Sequence, residues 1–225
     1  MKKANSSRPN SMTVKKYLHS CLLLEKDGKR LLIDPGTFSF IEGKLKPEDI
    51  GPVDAILITH KHADHFDPDI LKQFLAFGPM VIHTIQDIRS ELDAVQISSE
   101  LLVPGDRKDI VGFDVRVADA KHGALPVALP DNAAYLIDGL LHPGDSFHPE
   151  GIDTCDTLAL PIAGPWATLV ESMAMVDRLK PKTIIPIHDA IIKDFMLERI
   201  YNRMLKPAFE ARGIIFRPLE IGEPL

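Results

Sequence analysis

Three of the chain's nine histidines fall within six residues, His60-Lys61-His62-Ala63-Asp64-His65, directly after the run Ala55-Ile56-Leu57-Ile58-Thr59. A run without polar alternation is the pattern of a strand covered on both faces, so layers must build on either side of it. Histidines and an aspartate crowded at its C-terminal end would pack poorly as core. Asp67 and Pro68 supply an N-cap and first-turn pair for a helix through about Ala76, which places the cluster on a strand-to-helix loop. Alternate residues of an extended segment point the same way, so His60 and His62 can grip one ion while Asp64 and His65 turn toward a second. A solvated polar loop is the bland alternative; it explains neither the clustering nor the strand-end placement.

The rest of the chain predicts strands in both halves, grouped ahead of helices. Residues 13–18 and 21–24 are rich in β-formers, and Lys26-Asp27-Gly28-Lys29 supplies a hairpin turn into residues 30–34. Further strands are expected over 80–82, 95–97, 113–117, 133–137, 140–142, 157–162 and 183–187. Thr168 and Glu171 form a capping-box pattern for a helix reaching Lys180, ended by Pro181. A last helix over 191–212, bent at Pro207, ends at Gly213 before a closing strand over 214–219. This order predicts an α/β (α+β) fold of two mixed sheets packed together with helices outside.

At 225 residues, 45% hydrophobic and 26% charged, the chain has ordinary globular composition. We expect a polar tail over 1–11, lacking the apolar run of a secretory signal, and one catalytic domain over 12–225. The formal net charge of −6 is the wrong sign for a general nucleic-acid binder. Only Cys21 and Cys155 occur, too few for a disulfide framework, which fits a reducing cytoplasm. No stretch approaches the roughly 20 apolar residues of a membrane span, so a soluble protein is expected. Self-association stays open.

Two metal ions need more ligands than one loop provides. His122, Asp145 and His188 each lie just past an expected strand, and strand ends converge in space. Taken singly, His122 and His188 read equally as loop histidines, and Asp145 as a turn residue after Gly144. His19, His83 and His142 also sit near expected strand ends. Trp166, after Ala163-Gly164-Pro165, is a pocket-lining candidate or a packed tryptophan. The two cysteines read as small core residues.

His60-Lys61-His62-Ala63-Asp64-His65 reproduces the H-x-H-x-D-H signature of the metallo-β-lactamase superfamily, which the chain resembles over residues 13–219. Tyr17-Leu18-His19-Ser20-Cys21, Leu32-Ile33-Asp34-Pro35-Gly36, His142-Pro143-Gly144-Asp145 and Ile185-Pro186-Ile187-His188 look like the branch containing ascorbate-6-phosphate lactonase and related bacterial hydrolases. The resemblance implies a four-layer αβ/βα sandwich. It implies that His60, His62 and His122 hold one metal, that Asp64, His65 and His188 hold a second, and that Asp145 bridges them. Asp64 and Asp145 are then the catalytic carboxylates. Asp34 matches an aspartate that supports the ligand loop, with a plain turn role before Pro35 as the alternative.

Two divalent ions lower the pKa of a shared water from 15.7 toward roughly 7, so hydroxide is available at neutral pH to attack an ester, lactone, amide or phosphoester of a small molecule. Zinc leads among the metals, with manganese and iron also suited to imidazole and carboxylate ligands. A phosphodiesterase or nuclease is the enzymatic alternative, though no basic arm or long insertion is visible. Glyoxalase-II-like thioesterases add a helical C-terminal region, and diiron relatives carry Glu in place of His62 together with a flavin domain. A non-catalytic metal-binding protein is the remaining alternative, separable by turnover with bound metal.

Overall fold

A computed structural model describes residues 12–225; the tail expected over 1–11 lies outside the described residues. Six strands form the first sheet in chain order: β1 (Thr13–Lys16), β2 (Leu22–Lys26), β3 (Lys29–Ile33), β4 (Ala55–Leu57), β5 (Val81–Thr84) and β6 (Glu100–Leu101). Pairing is antiparallel from β1 to β3 and parallel from β3 to β6. Seven strands form the second sheet: β7 (Arg107–Ile110), β8 (Phe113–Asp119), β9 (Ala133–Ile137), β10 (Leu140–His142), β11 (Thr157–Pro161), β12 (Thr183–Ile187) and β13 (Ile215–Phe216). It too starts antiparallel and turns parallel, at β10–β11. Asp27-Gly28, Val111-Gly112 and Asp138-Gly139 close three tight hairpins with all six residues at positive φ, the conformation such two-residue turns demand.

Period-two alternation assigns each face of the second sheet. Val115, Val117, Tyr135, Ile137, Ile185 and Ile187 join the apolar cluster of the first sheet, whereas Ala134, Leu158, Leu160 and Ile184 point the other way. The outer face packs on α4 (Leu169–Leu179) through Met175, Val176 and Leu179. On the far side of the first sheet lie α1 (Pro47–Ile50), α2 (Pro68–Leu75) and α3 (Gln86–Ala94), which bury Ile50, Leu71, Phe74, Ile88 and Leu92. Helix, sheet, sheet and helix give the expected four-layer αβ/βα sandwich. The start signals also hold: Asp67 accepts from the N–H groups of Asp69 and Ile70, and Thr168 and Glu171 form the reciprocal capping box.

Three expected elements differ. Residues 95–97 are not a strand. Ile88 and Leu92 bury one face of α3 at helical spacing, and Val95 and Gln96, the latter at φ +59, end that helix instead. The last helix starts at α5 (Asp194–Arg199), widens into a π-helical segment over Ile200–Leu205 and returns to α6 (Lys206–Glu210). Pro207 has no N–H to close the α-helical bond onto Arg203, so the chain widens ahead of it rather than simply bending. The closing strand shrinks from residues 214–219 to Ile215–Phe216. Among the described residues no helix is long and apolar enough to cross a membrane.

Candidate metal centre

The ligand loop is fastened from below by the end of β3. Asp34, buried and at φ +48, accepts from the N–H of Thr59 at 2.8 Å, the hydroxyl of Thr59 at 2.7 Å and Nδ1 of His65 at 2.7 Å. Gly36 then runs so close to the loop that a Cβ there would lie 2.1 Å from the carbonyl of Asp64. The N–H of Thr37 donates to the carbonyl of Ala63 at 2.7 Å and completes the seam. These contacts explain why the loop after β4 departs from strand geometry at the histidines.

The second sheet delivers the remaining side chains. His122 follows β8, Asp145 follows the turn after β10, and His188 follows β12 at φ +64 with its N–H on the carbonyl of His19. Asn132 ties two of these segments together. It accepts from the N–H of Asp145 at 3.1 Å, and its amide donates to the carbonyls of Ala120 and Pro143. Nothing in the local sequence marks Asn132 for this role, because its three partners lie 11 to 13 residues away along the chain.

Ligand atoms fall into two groups, each spanning no more than 4.8 Å: His60, His62, His122 and Asp145 in one, His19, Asp64, His65 and His188 in the other. The carboxylate of Asp145 also reaches the second group. Its Oδ2 is 3.3 Å from Nε2 of His122 and 3.7 Å from Nε2 of His60, while its Oδ1 is 2.6 Å from Nε2 of His188 and 2.9 Å from Nε2 of His65. All seven residues that the sequence singled out as ligands therefore converge, and Asp145 stands between the two sets.

The outer ring nitrogens explain which way the lone pairs point. Nδ1 of His122 donates to the carbonyl of Gly123 at 2.7 Å, and Nδ1 of His65 donates to Asp34. Nδ1 of His60 donates to the Thr59 hydroxyl, whose own proton goes to Asp34. A neutral imidazole that donates from Nδ1 presents a bare lone pair at Nε2. Nε2 of His65 and Nε2 of His188 lie 2.8 Å apart, and Oδ1 of Asp145, buried beside both, has no aligned donor. Convergence of acceptor atoms at such distances fits a cation among them, so the donor set suits divalent metal.

Electrostatics favour positive charge at the same point. Burial disfavours charge on His65, yet the carboxylates of Asp145 and Asp34 outweigh it and hold its pKa well above the usual imidazole range. Burial also opposes ionisation of Asp145, but His188, His65 and His60 hold its carboxyl well below the usual range. His60 goes the other way, held well below by burial and then by His65.

Second-tier candidates separate clearly. His19 is fully buried, joins the second group, and places Nε2 3.0 Å from Oδ2 of Asp64; burial and then His188 lower its pKa to about 4. His142 is a brace: Nε2 donates to the carbonyl of Ser20, and Nδ1 accepts from the N–H of Gly144. His83 lies outside both groups, with Nδ1 3.6 Å from the Glu100 carboxylate. Trp166 is buried with its ring centroid 5.8 Å from that of His122 and 5.5 Å from that of His188, over Gly123, where a Cβ would meet the indole at 2.2 Å. His62 and Asp64 alone among the seven are only half-buried, so the centre opens on their side.

The profile of the beta-lactamase superfamily domain matches residues 13–188. The chain is similar to Protein Rv0786c of Mycobacterium tuberculosis, at 34% identity over 209 residues, covering 86% of this chain and 91% of that one. It is also similar to a UPF0173 metal-dependent hydrolase of Carboxydothermus hydrogenoformans, at 28% identity over 186 residues, 76% of this chain and 81% of that one. Among solved structures, Igni18, a novel metallo hydrolase from Ignicoccus hospitalis, superposes with a TM-score of 0.72 at 22% identity, covering 95% of this chain and 97% of that one. At that identity the likeness concerns the fold.

Proposed function

The chain belongs to the metallo-β-lactamase superfamily, and from that premise we propose that it is a metal-dependent hydrolase of small molecules with a two-metal centre. The observation that carries this reading is the division of the Asp145 carboxylate, one oxygen on each histidine group. His60, His62 and His122 would hold one divalent ion, Asp64, His65 and His188 the other, and Asp145 both. Zinc is the metal proposed first, with manganese and iron chemically acceptable to the same donors. Two such ions supply Lewis acidity, lowering the pKa of water toward roughly 7 and polarising the scissile carbonyl or phosphoryl oxygen.

The protein's own residues orient and enclose. Asp34 and the Gly123 carbonyl fix the tautomers of His65 and His122, so that neither ring must reorganise to present Nε2 inward. His19 holds the Asp64 carboxylate in place at the half-buried mouth and, with His65 and His188, keeps it ionised against the effect of burial. Trp166 and Phe147, with ring centroids 5.1 Å apart, screen the His122 and His188 side from water. Ester, lactone, amide and phosphoester bonds are all accessible to this arrangement.

Turnover by zinc- or manganese-loaded protein is expected in a screen of simple esters, lactones, thioesters, phosphodiesters and β-lactams, with loss of activity on chelation. The net charge of −6 argues for small molecules over nucleic acid. RNA cleavage faster than hydrolysis of every small ester would favour the nuclease reading, and fully metal-loaded protein inert in the whole screen would favour a non-catalytic role.

A further inference from the structure

A cavity of about 1020 Å³ lies beside the second histidine group. Three of its wall residues back onto that group. Leu18 precedes His19, Asp189 follows His188, and the ring of Phe38 stands edge-on to His19 at 5.2 Å between centroids. The volume is at the upper end for small-molecule pockets.

The wall offers few free cations. Its buried charges, Lys16 and Asp189, neutralise each other across 2.6 Å, with the Tyr201 hydroxyl also donating to Asp189 at 2.6 Å. Lys44 is paired with Glu42 at 2.7 Å. Lys193 is the third and last ammonium group on the wall, at the exposed start of α5, against five carboxylates in all. An anionic substrate group meets a field of the wrong sign here.

Apolar surface fills the rest. Ile41 is 73% exposed and Phe195 65%, and Ile191 and Ile221 are exposed on the same cavity. Single exposed apolar side chains need no explanation, but four gathered around one concavity mark a binding surface.

We infer that this cavity receives the apolar, uncharged part of the substrate, an acyl chain or aryl ring of a neutral ester, lactone or amide, and disfavours phosphorylated substrates. The inference rests on the hydrolase reading for the bond that is cut, and on the cavity alone for what is bound. It separates this chain from the sugar-phosphate chemistry that its lactonase-like sequence segments would suggest.

Two measurements on the full-length zinc-loaded chain test it. In a series of p-nitrophenyl esters from acetate to octanoate, kcat/KM should rise about fourfold per added methylene. Independently of turnover, the neutral dye Nile red should bind and be displaced by 1-decanol at least tenfold more readily than by decyl phosphate. The double variant Ile41→Ser/Phe195→Ser should weaken dye binding at least tenfold and flatten the ester series. A flat series from an active enzyme, with decyl phosphate displacing dye as well as decanol, overturns the cavity assignment and leaves the hydrolase standing. Dye behaviour as expected with no ester cleaved sustains the cavity and counts against the hydrolase. Unchanged dye affinity in the double variant, with a shift from dimer to monomer, overturns the assignment in favour of a second copy on this face.

Discussion

Nδ1 of His65 donates to Oδ2 of Asp34 across 2.7 Å, within a pair wholly shielded from solvent. This bond sets the tautomer that turns Nε2 of His65 toward Asp145 and His188. Asp34→Asn keeps the shape but replaces one acceptor by a donor. Zinc affinity, measured by competition with a chromophoric chelator, should fall about 10- to 100-fold while the chain stays folded. Unchanged affinity would mean that Asp34 secures the loop without controlling the ring.

The π-helical segment carries Tyr201 to Asp189, and β1 carries Lys16 to the same carboxylate. Removing one partner strands the other charge. Asp189→Ala should cost about 3–5 kcal/mol in urea unfolding, because Lys16 stays buried without its carboxylate. Tyr201→Phe should cost about 1.5–3 kcal/mol, the usual range for a hydrogen bond to a charged group. Lys16→Met combined with Asp189→Leu should recover most of the loss. A double variant no better than Asp189→Ala would show that the pair contributes more than mutual neutralisation.

Much of this was legible because it is local. The ligand cluster follows a buried strand directly, two of the three tight hairpin turns announce themselves as Asp-Gly, and the Thr168–Glu171 cap lies within one helical turn. What was missed is remote. The contact of His19 with Asp64 spans 45 residues and that of Lys16 with Asp189 spans 173, so no window along the chain contains both partners. His19, His83 and His142 looked equivalent because each sits near a strand end. Their environments differ: backbone groups satisfy both nitrogens of His142, while His19 faces Asp64. Residues 95–97 read as a strand because two apolar residues flanking a polar one look the same in a strand and at a helix end. The lactonase-like segments describe the metal side of the pocket, whereas the neighbouring cavity is built from residues scattered between Lys16 and Ile221.

Both cysteines are free. Burial, reinforced by the Asp156 carboxylate, pushes the Cys155 thiol up to about 12, and burial raises that of fully enclosed Cys21 as well. Since the thiolate is the reactive form, only a small fraction of Cys155 is reactive at pH 8. Iodoacetamide labelling of Cys155, followed by mass spectrometry, should quicken about tenfold per pH unit between pH 8 and 11, with Cys21 labelled only after unfolding. Rapid labelling of either residue in the native chain at pH 8 would contradict this.

Asp145 gives one carboxylate oxygen to each histidine group, so its loss should disturb both metal positions while each histidine serves only one. The most direct measurement is elemental analysis of zinc-loaded, desalted protein beside its Asp145→Ala variant. Two equivalents per chain are expected in the native protein and one or fewer in the variant, since removing the shared negative charge leaves two cations to repel each other. A native stoichiometry of one, or a variant that still holds two, would contradict a metal pair centred on Asp145.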